Sequence, residues 1–320
     1  ASKAFAKDVM ERAGVPTGTY ASFTEAPPAK AYLAETGGPF VVKADGLAAG
    51  KGVLVTEDLA EAEAWVDRCL TGSFAGDGDE ASVVIEEFLD GPELSVFVVC
   101  DGERGVALQP ARDYKRLADG DVGPNTGGMG SYSPVGDLPD GLVQSVIDDV
   151  ALPTIRQMAA DGHPYVGFLY CGLALTSAGP KVIEFNCRLG DPETQAVLPL
   201  LESDLLATLR DATDGGLDGE PLAFSDRAAV NVVLASGGYP ESPRKGDVIH
   251  GLKDVDGEVL VFHAGTTVDD HGHTRTNGGR VLSVVGLGDD VASARSTAYE
   301  AASKITWKQQ QLRTDIAGGE

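Results

Sequence analysis

A carboxylate, an amide and a guanidinium alternate with apolar residues in Val182-Ile183-Glu184-Phe185-Asn186-Cys187-Arg188, and the run continues as Leu189-Gly190-Asp191-Pro192-Glu193. At the two-residue period of a strand, Glu184, Asn186 and Arg188 share one face, while Ile183, Phe185 and Cys187 share the other. Glu184 and Asn186 are hard oxygen donors of the kind Mg²⁺ takes when phosphate oxygens complete its shell. Arg188 can grip a carboxylate or an acyl phosphate through paired hydrogen bonds. The structural alternative is a Glu184–Arg188 salt bridge in a half-buried sheet. Asp191 is placed to cap a following helix, with Pro192 at its first position.

Cations able to meet phosphate lie upstream. Lys43 ends the apolar run PFVVKAD, and Gly46-Leu47-Ala48-Ala49-Gly50-Lys51-Gly52 supplies small residues whose backbone N–H groups can cradle phosphate, with Lys51 adding charge. This is not a Walker A loop, because three residues separate Gly46 from Gly50 and Gly52 stands where Ser or Thr is required. A solvated lysine followed by a ligand-free glycine hairpin is the plainer reading. Glu86, Glu87, Phe88 and Leu89 close another apolar strand, where an extended hinge can offer backbone groups to a planar base. Glu93 can then accept sugar hydroxyls; a solvent-facing turn remains the alternative. Arg112, Asp113, Lys115 and Arg116 form either a counterion patch or a polyphosphate site, and the glycines of Asn125 to Gly130 suit a substrate loop. Together these residues suit phosphoryl transfer to a carboxylate followed by amine attack. Neither the cysteines nor Ser131 and Ser133 has a base at recognisable spacing. His271-Gly272-His273, near His263, lacks the further ligand that zinc needs and reads as a polar hairpin turn.

Local pattern predicts the elements that carry these groups. Helices are expected at 2–13, with Phe5, Val9 and Met10 on the apolar side, and at 58–70, 141–160, 192–211 and 289–305. Strands are expected at 39–45, 53–55, 83–87, 94–100, 104–111, 166–176, 180–186, 228–236, 259–262 and 281–285. Residues 119–136 contain six glycines and two prolines without a usable period, so a long loop is expected.

With 320 residues, 42% of them hydrophobic, the chain suits a folded protein of about two domains. A formal charge of -24 opposes nucleic acid and anionic membranes at long range, so a polyanion must be held by a local basic site. Four cysteines lack a CxxC pair and three of them lie in apolar or strand-like contexts, which suits buried thiols in a reducing compartment. No apolar stretch reaches the roughly 18 residues of a membrane-spanning helix. A cytoplasmic protein without nucleic-acid or membrane partners is the expectation.

The segments VVKADGLAAGKGV, VIEEFLDGPE, GPNTGGMGSYSP and VIEFNCRLGDPETQ, in that order, closely resemble the phosphoribosylamine–glycine ligases, ATP-grasp enzymes of purine biosynthesis. The resemblance runs from residue 2 to about residue 300. It implies an α+β ATP-grasp fold with a small carboxy-terminal β-rich domain: an ATP-grasp region over 1–215, whose smaller ATP-binding subdomain lies within 39–110, and a terminal domain over 216–320. It implies ATP with Mg²⁺, or Mn²⁺ in its place. Lys43, Gly50, Lys51, Gly52 and Lys115 correspond to phosphate contacts, Glu86 to Leu89 to an adenine hinge, Glu93 to a ribose ligand, and Glu184 and Asn186 to metal ligands. Asp113, Lys115, Asn125 and the loop after it, Arg188 and Asp191 would surround glycine or its phosphorylated form. The implied reaction joins glycine to 5-phosphoribosylamine through glycyl phosphate, in a monomer. The Thr276 to Arg280 segment would border the cleft. An amino-terminal substrate domain usual in the family is not in this sequence, so a separately supplied domain is an expected partner. Two other readings stay open, a different ATP-grasp carboxylate–amine ligase and an ATP-binding part that is inactive without that domain. The family's usual Gln-Asp-His-Lys is here Arg112-Asp113-Tyr114-Lys115.

Overall fold

The computed structural model describes residues 2–46, 52–72, 74, 81–257 and 259–319. Helix α1, Lys3–Ala13, starts where the Ser2 hydroxyl accepts from the Phe5 N–H at 3.0 Å and stops at Gly14, whose φ of 69° is left-handed. Val9 and Met10 are buried, but Phe5 is 47% exposed.

Strands β1, Tyr20–Phe23, β2, Phe40–Ala44, β3, Val53–Thr56, and β4, Val83–Glu87, form an antiparallel sheet in the order β1-β4-β2-β3. Helices α2, Ala26–Thr36, and α3, Leu59–Leu70, cover it, packing Leu33, Ala62, Val66 and Cys69 on Val42 and Ile85. Sequence pattern marks neither β1 nor α2. Pro27 and Pro28 look like helix breakers, yet they occupy the first turn, where the missing N–H groups have no intrahelical partner to lose. Helix α3 begins at Asp58, whose carboxylate accepts from the N–H groups of Ala60 and Glu61.

Strands β5, Glu93–Cys100, and β6, Gly105–Ala107, form a hairpin, with the second strand shorter than the expected 104–111. Strands β7, Arg112–Asp113, β8, Arg116–Ala118, β9, Val122–Asn125, and β10, Gly130–Ser133, follow. The expected loop over 119–136 therefore contains two short strands, β9 and β10. Gly123 and Pro124 lie within β9, which pairs with β8 alone, and a two-stranded hairpin tolerates residues that a central strand would not. A single helix pattern over 141–160 resolves into α4, Leu142–Val146, a π turn at Ile147–Ala151 and α5, Leu152–Ala160. Pro153 has no N–H for the helical ladder, and the Leu152 N–H bonds to the Ile147 carbonyl, five residues back.

Strands β11, Gly167–Thr176, and β12, Gly179–Asn186, complete an antiparallel sheet in the order β12-β11-β5-β6. The expected helix over 192–211 is broken into α6, Thr194–Val197, a 3₁₀ turn containing Pro199, and α7, Leu205–Asp214, which restarts where Asp204 accepts from the Ala207 N–H. Strands β13, Ala228–Ala235, β14, Leu260–His263, β15, Thr266–Val268, β16, Thr274–Thr276, and β17, Arg280–Gly288, precede α8, Val291–Lys304. The turn carrying His271 and His273 joins β15 to β16. The third sheet runs β14-β17-β13-β10-β7, so strands from before residue 134 extend the sheet formed after residue 227. The largest core lies between the second and third sheets and α1, α5 and α8, with Val96, Val98, Cys171, Val232, Val284 and Ala298 inside it.

Candidate active site

Register across the second sheet gathers the chemistry on one face. Ser95 of β5, Gly172 of β11 and Glu184 of β12 lie side by side, as do Phe97, Tyr170 and Asn186. The opposite face, with Leu94, Val96, Leu173 and Val182, is packed into the core, which fixes which side chains face the cleft. The Asn186 amide donates to Glu184 Oε1 at 3.1 Å. Turning that amide over would set two oxygens side by side, the donor pair a divalent cation requires. Among the described residues no group of three His, Cys, Asp or Glu side chains could hold a metal ion. Strand β12 ends at Asn186, so the two-residue period does not carry Arg188 along the strand face. Arg188 is exposed past the strand end and donates to the Leu189 carbonyl at 2.8 Å.

Cationic groups from the first sheet and α1 approach this face. Lys43 Nζ lies 3.0 Å from Glu86 Oε1 and donates to the Ile183 carbonyl at 3.3 Å, joining β2 to β12. Lys7 Nζ binds the other oxygen, Glu86 Oε2, at 2.8 Å and donates to Thr17, which donates to the Val182 carbonyl. All three charged groups are buried. Burial lowers the pKa of Lys7 from its ordinary value, with Glu86 opposing it. The Glu86 side chain therefore organises cations and leaves any hinge contact to its backbone. Glu87 is held below the usual carboxylate range by the Thr19 N–H, with Lys181 at 3.3 Å adding to the effect. Phe88 is 44% exposed at the strand end. Gly50 and Lys51 lie outside the described residues; Gly52 is buried and its carbonyl accepts from Ala44 at 2.7 Å.

Lys115 forms ion pairs with Glu93 and, at 3.5 Å, with Asp113. Burial works against its charge, but Asp113 and then Glu93 hold its pKa well above the ordinary value. Asn125, at the end of β9, pairs with Arg116 across the hairpin. The loop beyond it is held from several sides. Gly127 N–H donates to Tyr239 at 2.8 Å, and Arg280 Nη1 donates to the Gly127 carbonyl at 2.5 Å and the Asp191 carbonyl at 2.9 Å. Arg280 Nη2 also reaches Asp191 Oδ2 at 2.9 Å. Asp191 consequently serves this clamp and Gln195, while the N-cap position of α6 is Glu193. Tyr114 is anchored by the Arg313 guanidinium, 4.9 Å from its ring centre, and accepts from the Ala317 N–H.

Sequence reasoning missed Lys7, Ser95, Tyr170 and Glu193. Lys7 carried a signal, since Lys3 and Lys7 are one turn apart in a base-poor chain and Lys7 lies one turn from Met10. Glu193 was named as part of a capping sequence, but nothing local shows that it turns inward.

A lysine-bearing antiparallel sheet facing a second sheet that carries a carboxylate–amide pair defines the ATP-grasp class. The model for the phosphoribosylglycinamide synthetase ATP-grasp (A) domain matches residues 1–194, and the model for the C domain of the same synthetase matches residues 229–319. A phosphoribosylamine–glycine ligase of Leifsonia xyli is 53% identical over 320 residues, covering 99% of this chain and 75% of the relative. That of Ralstonia nicotianae is 51% identical over 316 residues, covering 98% and 74%. The crystal structure of a phosphoribosylamine–glycine ligase from Thermotoga maritima, 39% identical, superposes with a TM-score of 0.89 and covers 98% of this chain and 78% of its own. The chain belongs to the phosphoribosylglycinamide synthetase family.

Proposed function

We propose that this chain catalyses the ATP-dependent ligation of glycine to 5-phosphoribosylamine through glycyl phosphate, giving glycinamide ribonucleotide, ADP and phosphate. The observation that carries the reading is buried Lys43 reaching the Ile183 carbonyl of β12, next along the strand to the Glu184–Asn186 pair, in a chain about half identical to ligases of that name. The buried set of Lys7, Lys43 and Glu86 bears one more positive than negative charge, a fixed surplus in low dielectric that favours a phosphate tail. Glu184 and Asn186 would hold Mg²⁺, or Mn²⁺, against that tail, and the ion would neutralise charge on the phosphate oxygens. Glu93 is available to ribose hydroxyls and Lys115 to phosphate once the two part. Arg188, exposed at the rim, is free to turn toward the acyl phosphate, while Asp191 offers negative charge to the glycine ammonium group. The Gly127–Asp191 clamp by Arg280 narrows the cleft around a small substrate.

Product analysis with ATP, Mg²⁺, glycine and phosphoribosylamine tests this assignment, run on the chain alone and with an amino-terminal domain from a family member supplied separately. Formation of glycinamide ribonucleotide in step with ADP is expected. ADP release that needs neither glycine nor the amine would exclude it, as would turnover with a different acid.

A further inference from the structure

Beneath Lys115 lies a buried polar group that the functions above do not use. Ser95 Oγ and Tyr170 Oη are 2.8 Å apart, and each donates to Glu193 Oε1 at 3.1 Å. Glu193 is 3% exposed. Its other oxygen is accommodated because residue 190 is glycine: a methyl group there would lie 2.5 Å from Glu193 Oε2 and 3.0 Å from the Phe97 ring. The preceding peptide is pinned by two buried donors of the third sheet, Ser131 Oγ at 2.7 Å and Asn231 Nδ2 at 2.9 Å, both on the Pro192 carbonyl. Ser131 is also the register partner of Asp113, so β10 sets Asp113 and Glu193 against one another.

A carboxylate placed so deeply for structure alone would ordinarily meet a cation of its own. Here Lys115 is taken by Asp113 and Glu93. Burial, and after it the charge of Asp113, pushes the Glu193 carboxyl up to about 7. Burial raises Asp113 as well, with Lys115 opposing and Glu93 reinforcing. The hydroxyl of Tyr170, raised by burial and by Glu193 and Asp113, stays a neutral donor. Two buried carboxylates set against one another hold a proton more tightly than either would alone.

We propose that Asp113 and Glu193 act as a single proton acceptor in the amide-forming step. The inference rests on the ligase reading above. In that step the amine nitrogen forms a C–N bond to the glycyl carbonyl carbon, and the C–O bond to phosphate breaks with its electron pair leaving on phosphate. The proton lost from nitrogen passes to the ionised carboxylate pair and is later released to the departing phosphate or to water. Asp113, beside partly exposed Lys115, receives it, and Glu193 raises the affinity of the pair for it.

The test is the pH dependence of amide formation, from about pH 5.5 to 9, in the unaltered chain and in Glu193→Gln, whose amide oxygen can still accept from Ser95 and Tyr170. The unaltered rate should fall as pH drops through about 7. Removing the neighbouring negative charge weakens the base, so Glu193→Gln should lose at least about tenfold in the limiting rate, the scale of one acid–base group, and its acid limb should move to lower pH. Gly190→Ala, which displaces the same carboxylate, should move the limb in the same direction. A Glu193→Gln chain that folds and is slower with the limb unmoved would overturn the proposal, as would an unchanged rate. Absence of amide from the unaltered chain at every pH would overturn the ligase reading and this proposal with it.

Discussion

Glu86 is stable in the interior as one member of a set. Its two oxygens hold Lys7 and Lys43 separately, at 2.8 and 3.0 Å, and each ammonium also reaches an oxygen of the β12 neighbourhood. Neutralising the carboxylate leaves two ammonium groups adjacent in low dielectric, so Glu86→Gln should lower stability by about 3–5 kcal/mol, read from urea unfolding midpoints. Lys7→Met removes the surplus charge and keeps Glu86 paired to Lys43; the expected effect is a raised KM for ATP with turnover less affected. At the pair proposed to hold Mg²⁺, Glu184→Gln should cut turnover by at least about tenfold and shift the Mg²⁺ dependence to higher concentration. An unshifted Mg²⁺ curve would remove Glu184 from that role. Lys43 and Glu184 were legible in the sequence because each interrupts an apolar strand, where a charged residue has few structural reasons to be. Lys7 was not, because its partner is far along the chain and a lysine on a helix ordinarily faces water.

Strands and helices with a clear two- or 3.6-residue period, such as β4, β11, β12, α3 and the helix over 142–160, have nearly the bounds that the sequence predicts. Where proline does not account for a miss, tertiary contact overrides composition. The glycine- and proline-rich run after Ala118 becomes strands because the β8–β9 hairpin is tied to the chain end: Arg313 reaches Asp121 at 3.1 Å and Asp315 at 2.7 Å, and Asp119 and Asp315 receive backbone N–H groups across the same junction. The glycines then serve close approach. Gly128 has a φ of +108° and lies so near the Pro192 ring that a methyl group would overlap it. Gly128→Ala should push the substrate loop from the Asp191 turn and lower turnover by about a hundredfold, the cost of roughly an ångström of misplacement. Gly136→Ala, where a methyl group meets nothing within 4 Å, is the control and should leave turnover unchanged.

Across the whole molecule, the ligase reading was accessible from ordered motifs, whereas the way the sheets interlock was not. The proposed division near residue 215 follows the chain, but β7 and β10 join the sheet of β13 and β17, because pairing partners depend on loop closure and not on order. A formal charge of -24 makes the exterior self-repelling, so moderate salt should raise the melting temperature while weakening ATP binding at the local cationic set. Asp315, held at about 2 chiefly by Arg313, has a depressed carboxyl. Its stabilising effect is present above the ordinary range near pH 4 and disappears as pH falls through about 2. Asp315→Asn should therefore flatten the acid limb of melting temperature against pH. Glu193 has the opposite sign, and its contribution is lost as pH rises through about 7. The central claim is that this cleft phosphorylates the carboxylate of glycine. Positional isotope exchange in ATP labelled with ¹⁸O at the β,γ-bridge tests it most directly, because reversible glycyl phosphate formation scrambles the label before any amine is added. Scrambling that requires both glycine and Mg²⁺ and is lost in Glu184→Gln is the predicted result; ATP that stays unscrambled in the presence of glycine, while ADP and product still form, would contradict it.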